Sequence, residues 1–578
     1  MRLPPGSSSE QFQAALGAFE RVVGRDWLFT SDEDVALYRD PFSPFAGGPE
    51  DPLPSAALAP DTVEQVQEIV RIANHHRVPL YPISTGKNYG YGGPAPPLAG
   101  CVVLDLKRMN RVLEVDEQHA SVLVEPGVSY FDLYAHLQRI GSKLWIDCPD
   151  PGWGSLVGNA IDRGGGYTMA QYRHHFDAHC GMEVVLPDGE LLRTGMAALP
   201  GSSTWQQFKA CCGPWVDGLF SQANFGIVTK MGFWLMPQPE AYLRCTVSVP
   251  RYRDLMPLVE LQNHLEMTRI ANGCPDMDSP LLGYPPTGQI QRMLENGPPQ
   301  FDARHRALLA EAKLGYSPEL EAYAVSKGIP YWRIWLSFYG PMEVIEAQWR
   351  AAQRHCAVIP GARFDVIDRV QLPITREQAA NHREPEFGVP SLRTFSIGAR
   401  SPFNPTPSTG HMWLTPIVPR TGEAIIEANR VFGEAAAELD LPLFRTFTLP
   451  TAFYERSFTF IVAIGLTADP ETNRRYVEGF RRMIRIGADH GWGEYRTATY
   501  FQKQVMQTYS FNNHALMRFN ERLKDALDPN GVIAPGRYDV RVGDVKGRKC
   551  LIKDVAVKGT GKYAFSIAEK QMKGCTAW

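Results

Sequence analysis

The stretch Pro82-Ile83-Ser84-Thr85-Gly86-Lys87-Asn88-Tyr89-Gly90-Tyr91-Gly92-Gly93 constrains this chain more than any other. Its four glycines and two hydroxyl side chains let backbone N–H groups approach a dianion closely, where a Cβ would obstruct them. Upstream, Val63, Val66, Ile69, Val70 and Ala73 recur at helical spacing behind Asp61, which reads as the N-cap. Residues 78–83 then read as a short strand that enters the glycines. Helix, strand and loop in that order suit a pyrophosphate cradle, although such a segment taken alone is more often a Gly-rich surface turn. Tyr89 and Tyr91 put phenolic hydroxyls beside whatever the loop holds.

Residues 101–106 and 120–125, the latter turned by Pro126-Gly127, read as buried strands of one mixed sheet, with further strands at 182–186 and 226–231. A second small-residue cluster runs from Gly152 through Ser155, Gly158, Asn159, Arg163 and Gly164 to Tyr167. Two such loops separated by strands suit an extended dinucleotide met by backbone from two sides; independent turns are the alternative. Beyond Pro237-Gln238-Pro239 the pattern changes to long helical stretches at 422–439 and 471–489, interleaved with β-rich residues 458–464, which indicates a second α+β domain. The loop 403–410 delivers His411 to an apolar strand, Met412-Trp413-Leu414. Residues 531–538 read as a closing segment, and the Lys- and Gly-rich tail after it as poorly ordered.

At 578 residues the chain exceeds one hydrophobic core. A net charge of -3 with 21% charged residues offers no basic excess for nucleic acid. The N-terminus has no apolar signal region and no run of about 18 apolar residues occurs, so a soluble, cytoplasmic protein is expected. The ten cysteines include no C-x-x-C pair and read as mostly buried thiols. His174-His175-Phe176-Asp177-Ala178-His179-Cys180 has, by itself, the spacing of a zinc or copper site.

Taken in order, Ile83 to Gly93, Val124-Glu125-Pro126-Gly127-Val128, Val157-Gly158-Asn159, Asp162-Arg163-Gly164, Gly166-Tyr167-Thr168, residues 180–186, residues 221–230, Gly493-Glu494-Tyr495-Arg496-Thr497 and residues 528–537 resemble the vanillyl-alcohol oxidase and 4-cresol dehydrogenase family of flavoproteins, over nearly the whole chain. The resemblance implies an α+β, two-domain FAD-binding (PCMH-type) fold with an α+β cap domain. Its parts are an N-terminal segment (1–54), an FAD-binding domain (55–240), a substrate or cap domain (241–500), a segment returning to the FAD domain (501–545) and a tail (546–578). The cofactor is FAD. Carried over residue by residue, its ligands are Ile83, Ser84, Thr85, Gly86, Lys87, Asn88, Pro126, Gly127, Gly152, Ser155, Gly158, Asn159, Arg163, Gly164, Glu183, Gly226, Ile227, Val228 and Arg537. His411 stands where oxidase members bond covalently to the flavin 8-methyl carbon, and Gly398 where dehydrogenase members have the linking tyrosine. The family has the 174–180 segment without requiring a metal, so no metal is expected.

The implied chemistry is oxidation of para-substituted phenols. Phenolate pushes electrons into the ring and promotes hydride departure from the benzylic carbon to flavin N5 through a p-quinone methide. The usual phenol pKa of about 10 must therefore be lowered by donors or cations. Tyr91, Tyr495 and Arg496 match the phenolate-binding trio, and arginine supplies charge that does not titrate away. Asp150 matches a carboxylate near flavin N5 that handles the attacking water, with a turn-forming Asp as its plainer reading. Tyr167 matches a tyrosine at the pocket edge. Residues 37–63 contain no histidine, although some members use a second one to activate the first, which bears on flavinylation. Thr394, where the family has a glutamate, and the 404–409 loop leave room for a substrate bulkier than cresol. The electron acceptor is O2 or a cytochrome or blue-copper protein, and the resemblance implies a homodimer.

Overall fold

The computed structural model describes residues 2–283, 300–392, 410–442, 448–452 and 454–540. Expectations for Thr394, Gly398, the 403–409 loop and the 546–578 tail lie outside these residues.

Helix Val63–His76 forms as its spacing requires, burying Val66, Ile69, Val70 and Ala73 completely. Burial of each large aliphatic side chain contributes about 1.5–3 kcal/mol. Its N-cap is Thr62 rather than Asp61. The Thr62 hydroxyl accepts from Gln65 N, while Gln65 Oε1 reaches back to accept from Asp61 N at 2.7 Å, so the glutamine fixes the helix start one residue later. This helix and Ser9–Val23 share one apolar cluster with a four-stranded sheet. The sheet runs in the order Leu28–Phe29, Ala56–Leu58, Val102–Asp105, Leu80–Ile83, parallel except for its first strand.

The strands around residues 102 and 121 do not share a sheet, against expectation. Ser121–Val124 belongs to a separate five-stranded antiparallel sheet with Val112–Asp116, Ile227–Trp234, His179–Val185 and Leu191–Arg193. Both strands are buried along their whole length, so neither carries an alternation that would assign it to a layer.

A second core gathers around an antiparallel sheet ordered Asp276–Asp278, Trp332–Gly340, Ala241–Val249, Arg363–Gln371. Helices Leu255–Met267, Met342–Cys356, Gly422–Glu438 and Pro470–Asp489 pack on it. Thr421 caps Gly422–Glu438 by accepting from Ala424 N, and Ile425, Ala428, Phe432 and Ala435 form its buried stripe. His411–Leu414 pairs with Val462–Gly465 and runs into Thr415.

The chain then returns to the first sheet. Leu80 N donates to Val532 O and Ala534 N to Leu80 O, each at 2.7 Å. The fully buried Lys524 secures this return, donating to Asn224 O at 2.6 Å and Ile533 O at 2.8 Å beside Asp528 at 2.7 Å. Among the described residues, no helix is long and apolar enough to cross a membrane. The eight described cysteines are free thiols, five of them buried.

Candidate active site

A cleft with about 1220 Å³ of empty space, part of it open to solvent, lies where the glycine loop faces the second sheet. Ile83, Ser84, Thr85, Gly86, Lys87 and Asn88 line one wall. Pro126, Ser155, Gly158, Asn159, Gly226, Ile227 and Val228 line others, and Arg537 of the returning segment closes it. Gly158 has a local reason to be glycine, because a Cβ there would stand 2.2 Å from Ser84 Oγ and push the two loops apart.

Six expected cofactor residues stand outside the lining. Gly127 is packed against backbone carbonyls, Gly152 against Pro390 and Gly164 against Asn159, where a Cβ would collide. Arg163 donates to Ser221 Oγ at 3.0 Å. Glu183 is fully buried within the five-stranded sheet, paired with Arg193 and Lys230 at 2.9 Å each, so it is a strand residue and not a cleft residue. His411 is the sixth, and it sits immediately behind the lining. Its ring is fully buried among Phe42, Tyr89 and Trp413, with centroids at 5.2, 5.0 and 4.5 Å. Burial pushes the imidazole down to about 3, so the ring is neutral. Among the described residues, neither nitrogen makes a hydrogen bond of good geometry, although the Tyr89 backbone is within reach. Gly90 permits this approach: its φ is +76°, and a Cβ would lie 2.4 Å from His411 Nε2.

Tyr91, Tyr495 and Arg496, although 404 and 405 residues apart in the chain from Tyr91, come together. The Arg496 guanidinium lies 3.8 Å over the Tyr91 ring and 5.5 Å from the Tyr495 ring. Burial, then the neighbouring Tyr495, holds Tyr91 well above the usual phenol range despite Arg496, so Tyr91 remains a hydroxyl donor. The Trp413 ring lies near-parallel to that of Tyr91, with centroids 6.2 Å apart. Arg496 also lines the cleft, with its Nε unpaired and buried.

Asp150 lines the cleft too, and its partner escaped the sequence reading. Arg383 lies 3.8 Å from Asp150 Oδ2 and stacks its guanidinium 3.5 Å over the Tyr167 ring. Asp276 at 3.4 Å and Glu386 at 3.6 Å hold Arg383 from behind, and Glu386 also binds Arg244 at 2.6 Å. Asp162, quoted above only as part of a motif, is a second hub. It accepts from Asn88 at 2.8 Å and from Arg537 at 3.2 Å, and it lies 3.7 Å from Arg496. One carboxylate thus ties the glycine loop, the returning segment and the tyrosine–arginine cluster.

The 174–180 histidines are engaged separately: His174 with Asp177, His175 with Asp147 and Tyr130, His179 with Asp217. Among the described residues, no group of three potential ligands converges on a metal-sized point.

The cleft therefore suits an elongated polyanion: it has glycine-rich backbone, Lys87 and two arginines along its length, and a neutral imidazole behind one wall. Comparison with known proteins gives that ligand a name. Residues 54–195 match a family described as FAD binding domain. The chain is 30% identical over 550 residues to the 4-cresol dehydrogenase (hydroxylating) flavoprotein subunit of Pseudomonas putida, covering 93% of this chain and 97% of that protein. Among solved structures, p-cresol methylhydroxylase with substrate bound aligns at TM-score 0.77 and 29% identity, over 93% of this chain and 99% of that one. The isoeugenol complex of 4-ethylphenol oxidase from Gulosibacter chungangensis aligns at TM-score 0.77 and 34% identity, with the same two coverages. Fold, cleft and relatives together define an FAD-dependent oxidoreductase of α+β, PCMH-type architecture. Within that class, the chain belongs to the vanillyl-alcohol oxidase and 4-cresol dehydrogenase family of flavoproteins.

Proposed function

We propose that this enzyme oxidises para-substituted phenols, namely 4-alkylphenols, 4-hydroxybenzylic alcohols or lignin-derived phenols, at the benzylic carbon. The observation that carries the reading is the cluster of the buried Tyr91 with the partly buried Tyr495 and Arg496, whose arginine lines the cleft. FAD, when bound, supplies a hydride acceptor. Arg496 stabilises the substrate as phenolate, and Tyr91 donates a hydrogen bond to the same oxygen. Phenolate formation drives electrons toward the para position and yields a p-quinone methide once hydride has left. Asp150, oriented by Arg383, takes the proton of a water that adds to this species, giving the alcohol; loss of a neighbouring proton gives the alkene instead. Tyr167, pinned by Arg383, bounds the site beside Asp150.

The neutral, buried His411 supports a covalent link to the cofactor at its 8-methyl carbon. If that link forms, His411 would bond the methyl carbon with loss of one methyl proton and of its own N–H proton, and the two electrons released would leave with the acceptor that closes each turnover, O2 or a cytochrome or blue-copper protein. Acid precipitation should leave the yellow colour with the protein, and His411→Ala should release it to the supernatant. Colour released from the unaltered enzyme would refute the link. The main-chain pairing of Leu80 with Val532 and Ala534 supports assigning residues 501–545 to the FAD domain, with 241–500 as the cap.

The function is tested by mixing the oxidised enzyme anaerobically with 4-ethylphenol, vanillyl alcohol and eugenol, then admitting air. Bleaching of flavin absorbance by at least one phenol is expected, and the rate of recovery in air separates an oxidase from a dehydrogenase. If none of the three bleaches the flavin while dithionite does, the phenol reading fails.

A further inference from the structure

Glu494 precedes the phenol-binding pair and is 6% exposed. Its Oε2 lies 2.8 Å from Thr415 N and 2.8 Å from Thr415 Oγ1, and the same hydroxyl oxygen lies 2.6 Å from the carbonyl oxygen of Arg496. Thr415 is fully buried and follows directly on the strand that begins at His411. Tyr495 N donates to Thr415 O at 3.3 Å and Ile417 N to Gly493 O at 2.9 Å, so residues 493–496 are laced along residues 415–417.

The proton count in this chain does not close with an ionised Glu494. A threonine hydroxyl has one proton to give, whereas the Arg496 carbonyl and a carboxylate would both need it. If Glu494 carries a proton, every contact is satisfied: its O–H donates to Thr415 Oγ1, and Thr415 O–H donates to Arg496 O. The surroundings agree. Facing groups among the described residues are Tyr509, from the end of helix Gln502–Thr508, whose hydroxyl donates to Glu494 O at 2.9 Å, and Tyr495 and Arg496 on the same segment. His411 is the sole titratable residue of the strand His411–Leu414, and it is neutral. Burial raises the Glu494 carboxyl to about 8, with the Thr415 bonds opposing the rise.

We propose that Glu494 is a protonation-dependent positioning residue: as a neutral acid it completes the chain through Thr415 that holds Tyr495 and Arg496 in place, and its ionisation weakens phenol binding. Ionisation would leave two acceptors competing for one hydroxyl proton and add a buried negative charge behind the site that stabilises phenolate. The inference rests on the phenol reading above and sharpens it.

Glu494→Gln keeps the shape and cannot ionise. Its amide oxygen can still accept from Thr415 N, although the amide cannot also donate to Thr415 Oγ1 from that atom, so the comparison is read from how the two proteins change with pH. Phenol binding is followed by flavin absorbance in the FAD-loaded enzyme, with 4-ethylphenol mixed anaerobically with reduced enzyme so that no turnover occurs. The ratio of the wild-type to the variant dissociation constant should rise by about tenfold between about pH 6 and about pH 9, because only wild type ionises in that range. A second measurement does not use activity. The folded state holds the Glu494 proton to higher pH than the unfolded chain, so wild type should lose stability relative to the variant as pH rises from the usual carboxylate range to about 8, and no further beyond it. Denaturation midpoints of the two proteins from about pH 5 to about pH 9 read this directly. Parallel midpoints across that range would overturn the proposal, as would a ratio of dissociation constants that stays level from about pH 6 to about pH 9. If wild type binds no phenol at any pH, the functional reading falls and the positioning role with it, while the midpoints still report whether Glu494 holds a proton.

Discussion

Arg496→Gln should slow flavin reduction by a simple 4-alkylphenol by about three orders of magnitude. A unit charge about 4 Å from a phenolate contributes about 4 kcal/mol at an effective dielectric constant near 20, which corresponds to about a thousandfold in rate or binding. The geometry places Arg496 for this work: its guanidinium stacks 3.8 Å over Tyr91, and its Nε is buried without a partner among the described residues. Because Arg496 also lines the cofactor cleft, the variant's flavin content and its reduction by dithionite must be measured beside the phenol reaction. Phenols carrying electron-withdrawing substituents ionise without help, so they should recover much of the lost rate in the variant and gain little in wild type. Reduction within about tenfold of wild type by 4-ethylphenol, with full flavin content, would rule out Arg496 as the phenolate partner.

Asp162→Ala should cost about 3–5 kcal/mol of stability and most of the bound flavin, because removing one member of a buried ionic cluster leaves the others uncompensated. Here the others are Arg537 at 3.2 Å and Arg496 at 3.7 Å, and Asn88 loses its acceptor at 2.8 Å as well. Asp162→Asn keeps an acceptor oxygen without the charge and should fall between wild type and Asp162→Ala. Unfolding midpoints in denaturant and the flavin-to-protein absorbance ratio after purification measure both effects. A Asp162→Ala protein with full flavin and an unmoved midpoint would mean that the arginines are neutralised elsewhere.

The parts of this molecule that were legible in its sequence are those whose signal is local. Glycines 86, 90, 92 and 93 mark a loop that must pass close to other atoms, and Gly90 does so against the His411 ring. The stripe from Val63 to Ala73 declared its helix, yet the N-cap slipped by one residue because Asp61 and Thr62 are both good caps. The side chain of Gln65, three residues into the helix, decided between them. Strands buried along both faces read alike, which is why residues 102–105 and 121–124 seemed to share a sheet. Arg383 was missed altogether: its partners Asp150, Tyr167 and Asp276 are 233, 216 and 107 residues away, and a lone arginine among loop residues has no local pattern. Asp162 was quoted for its neighbours and not for itself, since a carboxylate that unites three distant segments looks in sequence like any polar turn residue.

The pairing of Leu80 with Val532 and Ala534, and the reach of Arg537 to Tyr81 at 3.1 Å, also set a timetable. The first wall of the cleft leaves the ribosome 456 residues before the arginine that closes it. At about 5–20 residues per second, the nascent chain spends tens of seconds with its glycine loop made and its last edge strand unprotected. Cofactor capture is consequently a test that only a finished chain passes. A chain lacking residues 528–540 should fail it however well its earlier segments have folded, and FAD supply should then govern how much full-length protein escapes degradation by drawing the last docking step toward the native side.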